Sequence, residues 1–202
     1  MLDGTPYAMK VARTVWSGGK AGSEKVYLSL YEIDLEHIKK LFLILLKSNF
    51  YEVAREWPYK NIIPKIICEE ALETKDKKPL IDYKFYCFSG EPKYFMVSIG
   101  EYEHKVRNHK FDMNLQSIDH HFKKNASLKK EEIIFPENIQ EMIEIVKKLC
   151  KPFPHVRVDL YNIDGRIVFG ELTFYSNAGF VKIDSENYSK KIGNWIKLEN
   201  YL

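Results

Sequence analysis

The segment HVRVDLYNIDGRIVFGELT, residues 155–173, constrains this chain more than any other stretch. Apolar and polar residues alternate on both sides of Asp164-Gly165, a dipeptide that accepts the positive φ of a type I′ turn, so the segment predicts a β-hairpin. Side chains two apart on a strand share a face. Arg157, Asp159 and Tyr161 therefore point one way, and Val156, Val158 and Leu160 the other. On the returning strand, Glu171, Phe169 and Ile167 are expected to share one face, as are Glu171 and Thr173. The two-residue turn sets Asp159 against Phe169 or Gly170, one step from Glu171. Two carboxylates so placed repel each other unless a cation lies between them. That cation is either a hard divalent ion such as Mg2+, which binds through one or two carboxylates plus substrate phosphates, or Arg157 itself in a structural ion-pair network. A buried charge left unpaired is strongly destabilising in either case.

The rest of the chain divides into similar pieces. YAMKVA (7–12) and KVYLSL (25–30) read as strands around the glycine-rich RTVWSGGKAGSE (13–24). Asp34 is a candidate N-cap for a helix running to about Phe50, with Leu35, Ile38, Leu41, Phe42 and Leu45 on one face. IIPKIICEEAL (62–72) starts like a central strand and ends in two acids. DYKFYCF and PKYFMVSI form a second hairpin around Ser-Gly-Glu, and residues 100–132 are long, polar and weakly patterned. Pro136 opens a helix bearing Ile139, Met142, Ile143, Val146 and Leu149. A last helix covers about residues 185–198, with Ile192, Trp195 and Ile196 as its apolar face. The order of elements is that of an α+β protein with antiparallel sheets.

Composition narrows the classes. Hydrophobic residues make up 45% and charged residues 29%, an ordinary globular balance. A net charge of +3 is too small to argue for a nucleic-acid partner. The three cysteines, Cys68, Cys87 and Cys150, lie far apart among apolar residues with no metal-binding spacing, and are expected as reduced, buried thiols. MLDGTPYAMK has no apolar signal core. The longest apolar run, LFLILL (41–46), is far short of the roughly 20 residues of a membrane span. The expectation is a cytoplasmic protein without a transmembrane segment.

Several residues could bind a nucleotide, each with a plainer alternative. Lys10 and Gly18, Gly19 and Gly22 could meet phosphate oxygens, because glycine lets backbone N–H groups approach; SGGKAG fits neither the Walker nor the dinucleotide pattern, and a surface loop is the simpler reading. Glu69 and Glu70 are either a solvated strand end or a linker whose backbone bonds a base. Asp82, opening the next strand, could hold a ribose hydroxyl. His120 and His121 are adjacent and face opposite ways on a strand, and His104 and His109 lie in the polar stretch, so no histidine metal site is expected. Arg107 and Asn108 are better candidates for an anionic substrate.

EWPYKNIIPKIICEEAL (56–72), DYKFYCFSGEPKYF (82–95), HKVRN (104–108) and FPHVRVDLYNIDGRIVFGELTFYSNAGF (153–180) occur in an order that resembles the ATP-grasp fold. Within that fold the chain resembles the TupA-like family of teichuronopeptide biosynthesis. The most specific part is R-x-D on one strand followed by E-L-T and a small-residue loop on the next.

The resemblance implies two α+β subdomains, residues 1–70 and 71–202, whose antiparallel sheets sandwich ATP. It implies that Lys10 reaches the α/β-phosphates, that the loop of Gly18, Gly19 and Gly22 covers the β/γ-phosphates, and that Glu69, Glu70 and Leu72 form the adenine hinge. Asp82 would contact ribose and Lys84 a phosphate. Asp159 and Glu171 would hold Mg2+. Arg157 would stabilise the transferred phosphoryl or an acyl phosphate. Many ATP-grasp enzymes carry Asn two residues after the metal-bridging Glu. Thr173 stands there in this chain; its hydroxyl can still ligate or orient Mg2+, and Asn177 follows. Such enzymes also begin with a separate N-terminal domain that this chain is expected to lack, so that a separate domain or partner chain would complete the site. The implied activity is an ATP- and Mg2+-dependent carboxylate–amine ligase acting on a carboxylate-bearing sugar or peptide in capsule or cell-surface polysaccharide assembly. The alternatives are a glycosyltransferase-like enzyme of the same pathway and a truncated nucleotide-binding module without turnover.

Overall fold

A computed structural model of the chain describes residues 8–13, 26–29, 35–49, 51–52, 55–70, 72–76, 78–99, 106–122, 128–129 and 132–201. The chain divides into two compact units, Met1–Leu72 with Asn177–Gly179, and Glu73–Ser176 with Phe180–Leu202.

The first unit contains β1 (Ala8–Arg13), β2 (Val26–Ser29), α1 (Leu35–Lys47) and β3 (Ile66–Glu70). The strands form an antiparallel sheet in the order β2-β1-β3. The segment 62–72 was expected to be central, but its strand begins only at Ile66 and lies at the end of this order. Pro64 lacks the N–H that a ladder needs, and Ile62, Ile63 and Ile66 remain exposed. In α1, Phe42 and Leu45 are half-buried while Leu43 and Ile44 face outward, as the three-and-four spacing requires.

The second unit is built on a five-stranded, wholly antiparallel sheet. Its strands are β4 (Ile81–Phe88), β5 (Glu91–Ile99), β6 (Arg107–Asp112), β7 (His155–Ile163) and β8 (Arg166–Thr173), in the order β6-β5-β4-β7-β8. Both predicted hairpins form. Their turns, Ser89-Gly90 and Asp164-Gly165, have positive φ at both positions, 48° and 76°, then 52° and 86°, which matches the twist of the flanking strands. β6 emerges from the long, weakly patterned polar stretch, where no strand is expected. Only His109 and Phe111 of RNHKFD are buried, so an edge strand with one apolar contact site leaves almost no periodic signal.

One face of this sheet packs against α2 (Ile139–Cys150). Phe85, Phe95, Val97, Phe111, Val156, Val158 and Leu160 meet Met142, Ile143 and Val146 there, all of them buried. At one end of the opposite face, Tyr86, Phe88, Tyr94, Ile118 and Phe122 form a second cluster with Tyr188 of α3 (Glu186–Gly193). Ser185 caps α3 by accepting a hydrogen bond from the Tyr188 N–H at 3.2 Å. α3 is shorter than the sequence predicts, ending at Gly193; Trp195 still packs on the second cluster, whereas Ile196 is exposed.

The β7–β8 register departs from the simple hairpin. Leu160 pairs with Phe169, but Asp159 pairs with Glu171, so Gly170 is the extra residue of a β-bulge. Ile167 packs on the helix-covered core, and beyond the bulge Leu172 and Phe174 do so. Glu171 and Thr173 are thereby turned to the opposite face. The expectation that Glu171, Phe169 and Ile167 share a face is corrected: strict alternation fails where a residue is inserted. A Cβ at Gly170 would lie 2.9 Å from the Asp159 carbonyl oxygen and 3.2 Å from the Tyr161 ring. Gly170→Ala is therefore expected to cost about 1–3 kcal/mol in urea unfolding. Gly193→Ala, where nothing lies within 4 Å, is expected to be neutral or slightly stabilising.

Candidate nucleotide and metal site

The pairing register lays the second unit's polar residues out in rows across the sheet face opposite α2. One row reads Lys110, Met96, Lys84, Asp159, Glu171. On one side of it lie Asn108, Ser98, Asp82, Tyr161 and Val168, and on the other Asp112, Tyr94, Tyr86, Arg157 and Thr173. Thus Asp82, Lys84, Arg157, Asp159, Glu171 and Thr173, singled out on separate strands of the sequence, converge on one patch. Gly18, Gly19, Gly22 and His104 lie outside the described residues. Lys10 is on β1 opposite Tyr27 and Glu69, and Glu70 is opposite Met9. Leu72 is half-buried. Arg107 donates to Glu132 at 2.6 Å, so the anionic partner of this side chain is internal.

Asp159, 2% exposed, is the centre of the patch. Arg157 grips it with two hydrogen bonds, Nε to Oδ1 and Nη2 to Oδ2, both 2.7 Å, the fork geometry that makes guanidinium–carboxylate pairs strong. Lys84 Nζ donates to Asp159 Oδ2 at 3.0 Å and pairs with Asp82 as well. Nη2 of Arg157 also donates to Glu171 Oε1 at 2.7 Å, and Nη1 donates to the Ser176 hydroxyl at 3.3 Å. Thr173 Oγ1 donates to the same Glu171 oxygen at 3.0 Å. Glu171 stands directly across from Asp159, closer than the simple hairpin predicts, because the bulge advances it by one position.

Of the two cations considered for the space between the carboxylates, the structure places Arg157 there. Burial opposes ionisation of Asp159, but the charges of Lys84 and Arg157 outweigh it and hold the carboxyl below its ordinary value of 3.8. Burial likewise disfavours charge on Arg157, and Asp159 in turn keeps it protonated.

Other residues here escaped the sequence reading. Ser98, beside Asp82, is 1% exposed, and its hydroxyl has no partner among the described residues. Alternation in PKYFMVSI places it on the charged face, but a serine near a strand end carries no signal of its own. Ser176 follows β8, and only its contact with Arg157 distinguishes it. In the first unit, Glu56 is 3% exposed with neither carboxylate oxygen hydrogen-bonded among the described residues, and burial pushes its pKa from 4.5 to about 7.

The model of the TupA-like ATP-grasp family matches residues 10–197. The chain belongs to that family. Comparison with curated proteins gave no match, nor did comparison with solved structures. The match spans this TupA-like ATP-grasp chain almost from end to end, including the rows described above, and the family is one of ATP-grasp enzymes. Among the described residues no helix is long and apolar enough to cross a membrane.

The donor chemistry of the patch fits Mg2+. Asp159, Glu171 and Thr173 present hard oxygen donors, and Glu171, 38% exposed at its side chain, has only one oxygen hydrogen-bonded among the described residues. Among those residues no cluster of three His, Cys, Asp or Glu side chains forms a complete protein cage. A metal held here would therefore draw the remainder of its shell from water or phosphate.

The two buried acids predict opposite pH signatures. The folded-state pKa of Asp159 is depressed, so its contribution is complete above about pH 4 and is lost as pH falls further. Asp159→Asn is expected to flatten the acid limb of stability against pH, and Asp159→Ala, which deprives the buried Lys84 and the half-buried Arg157 of their shared acid, to cost about 3–5 kcal/mol at neutral pH in urea unfolding. The folded-state pKa of Glu56 is raised, so the native state loses stability as pH climbs from about 4.5 to about 7. Glu56→Gln is expected to raise the melting temperature at pH 8 and leave it nearly unchanged at pH 4.

Proposed function

We propose that the chain is an ATP- and Mg2+-dependent ligase-type enzyme that activates a carboxylate as an acyl phosphate for attack by an amine, in the assembly of bacterial cell-surface polysaccharide. The observation that carries this reading is the apposition of Asp159 and Glu171 on one sheet face, with Arg157 and Lys84 beside them. Together with family membership, it supplies the acidic and basic groups that phosphoryl transfer requires in one place.

Asp159, Glu171 and Thr173 are the metal-holding residues in this reading. Bound Mg2+ would neutralise phosphate charge. Arg157 is fixed by its fork to Asp159 and by Ser176, so its place does not depend only on Glu171, an acid that would help to hold the metal. Arg157 offers its charge to the transferred phosphoryl, where preorganised donors lower the barrier most. Lys84 meets a phosphate and Asp82 the ribose. Lys10 and the loop of Gly18, Gly19 and Gly22 serve the phosphates, and Glu69, Glu70 and Leu72 the adenine. The acid is a carboxylate-bearing sugar or peptide. The enzyme works in the cytoplasm. A glycosyltransferase-like activity gains no support from the wholly antiparallel sheet. A nucleotide-binding module without turnover is favoured by one observation, the bridging of both carboxylates by Arg157.

Thermal unfolding with Mg2+ and ATP tests the assignment. At a hundredfold excess over Kd, ligand stabilises by about 2.7 kcal/mol, a rise of about 5–11 °C for a chain of this size. The rise is expected in the native chain and not in Asp159→Asn/Glu171→Gln; an equal rise in both refutes the site. Release of ADP with candidate acids and amines separates the ligase from the module without turnover.

A further inference from the structure

Two thiols stand apart from the charge network. Cys87 lies one residue before the end of β4, and Cys150 is the last residue of α2. They are 1% and 0% exposed, and both belong to the core beneath the helix. Backbone contacts bind their surroundings together. Ser89 N–H donates to Pro154 O at 2.8 Å, Gly90 N–H to Phe153 O at 3.3 Å, and Phe153 N–H to Cys150 O at 3.0 Å. A Cβ at Gly90 would approach the Lys151 carbonyl oxygen to 3.1 Å. The turn after Cys87 is thus stitched to the loop after Cys150. Both side chains belong to one buried cluster, and each is the leading influence on the other's ionisation: Cys150 raises the pKa of Cys87, and Cys87 lowers that of Cys150. Each is a free cysteine.

We propose that Cys87 and Cys150 form a dithiol pair that closes to an intramolecular disulfide when it meets a small disulfide oxidant of the glutathione class. Cys150 is the attacking thiol, because it ends a helix and the two residues that follow it, Lys151 and Pro152, are exposed. Its thiolate attacks one sulfur of oxidised glutathione, whose S–S bond breaks. One glutathione leaves as a thiolate and takes up the proton that Cys150 released. The Cys87 thiol then loses its proton and attacks the Cys150 sulfur of the mixed disulfide, expelling the second glutathione, which takes up that proton. Two protein thiols lose two electrons, and one oxidant disulfide becomes two thiols. The new bond fastens the end of α2 to β4, the strand that carries Asp82 and Lys84.

The full chain, folded, is incubated with oxidised glutathione, alkylated without reduction, digested and mapped by mass spectrometry. The expected result is a peptide pair cross-linked through Cys87 and Cys150, with an intact-mass loss of about 2 Da that dithiothreitol reverses. A glutathione adduct that persists on either residue, a cross-link through Cys68, or recovery of both thiols unmodified overturns the proposal.

Discussion

The guanidinium of Arg157 is the interaction on which the second unit's charged face depends. Asp159 is almost wholly removed from water, and an isolated carboxylate in that position would take up a proton or unfold its surroundings. Arg157 prevents this with a two-bond fork, and its remaining donors extend to Glu171 and Ser176. Lys84 approaches Asp159 from the other side and ties in Asp82. Three strands, β4, β7 and β8, are thereby committed to one arrangement of charge. Buried ion pairs are poor stabilisers compared with a well-packed apolar substitute, so stability alone does not account for placing one here. A sheet that needed only to be stable would cover this face with the aromatic packing seen at its other end.

That contrast is what a nucleotide-dependent enzyme would require of the scaffold. The α2 side is dry, apolar and tightly filled, and it holds β4 and β7 at fixed spacing. The opposite side can then carry acids and bases whose separation is set by strand register rather than by flexible loops. Family membership is consistent with this division of labour, because positioning and charge neutralisation make up most of the work of phosphoryl transfer.

Much of this was legible in the sequence where a local rule applied. The hairpins around Ser-Gly-Glu and Asp164-Gly165, the amphipathic spacing of α1 and α2, and the shared face of Arg157 and Asp159 follow from backbone geometry alone. The ordered motifs around R-x-D and E-L-T carried the family. What escaped depended on long-range pairing. β6 is a strand because β5 offers it an edge, not because RNHKFD favours extension. Ser98 and Ser176 matter through their neighbours, and Glu56 gives no sign in sequence that its carboxylate will be buried. The bulge was invisible for a related reason. Gly170 reads equally well as an ordinary strand glycine, and only the approach of the Asp159 carbonyl oxygen explains why nothing larger stands there.

That inserted glycine lets β8 change its allegiance half-way along. Before it, odd-numbered side chains serve the helix, as Ile167 does; after it, the even-numbered ones do, as Leu172 and Phe174 do. A strand with unbroken two-residue phase could not seal the core at both of its ends and still turn Glu171 and Thr173 outward. Sequence alignments that close the gap by sliding β8 one place would pair the wrong parity throughout, and would hide the acid among the core residues.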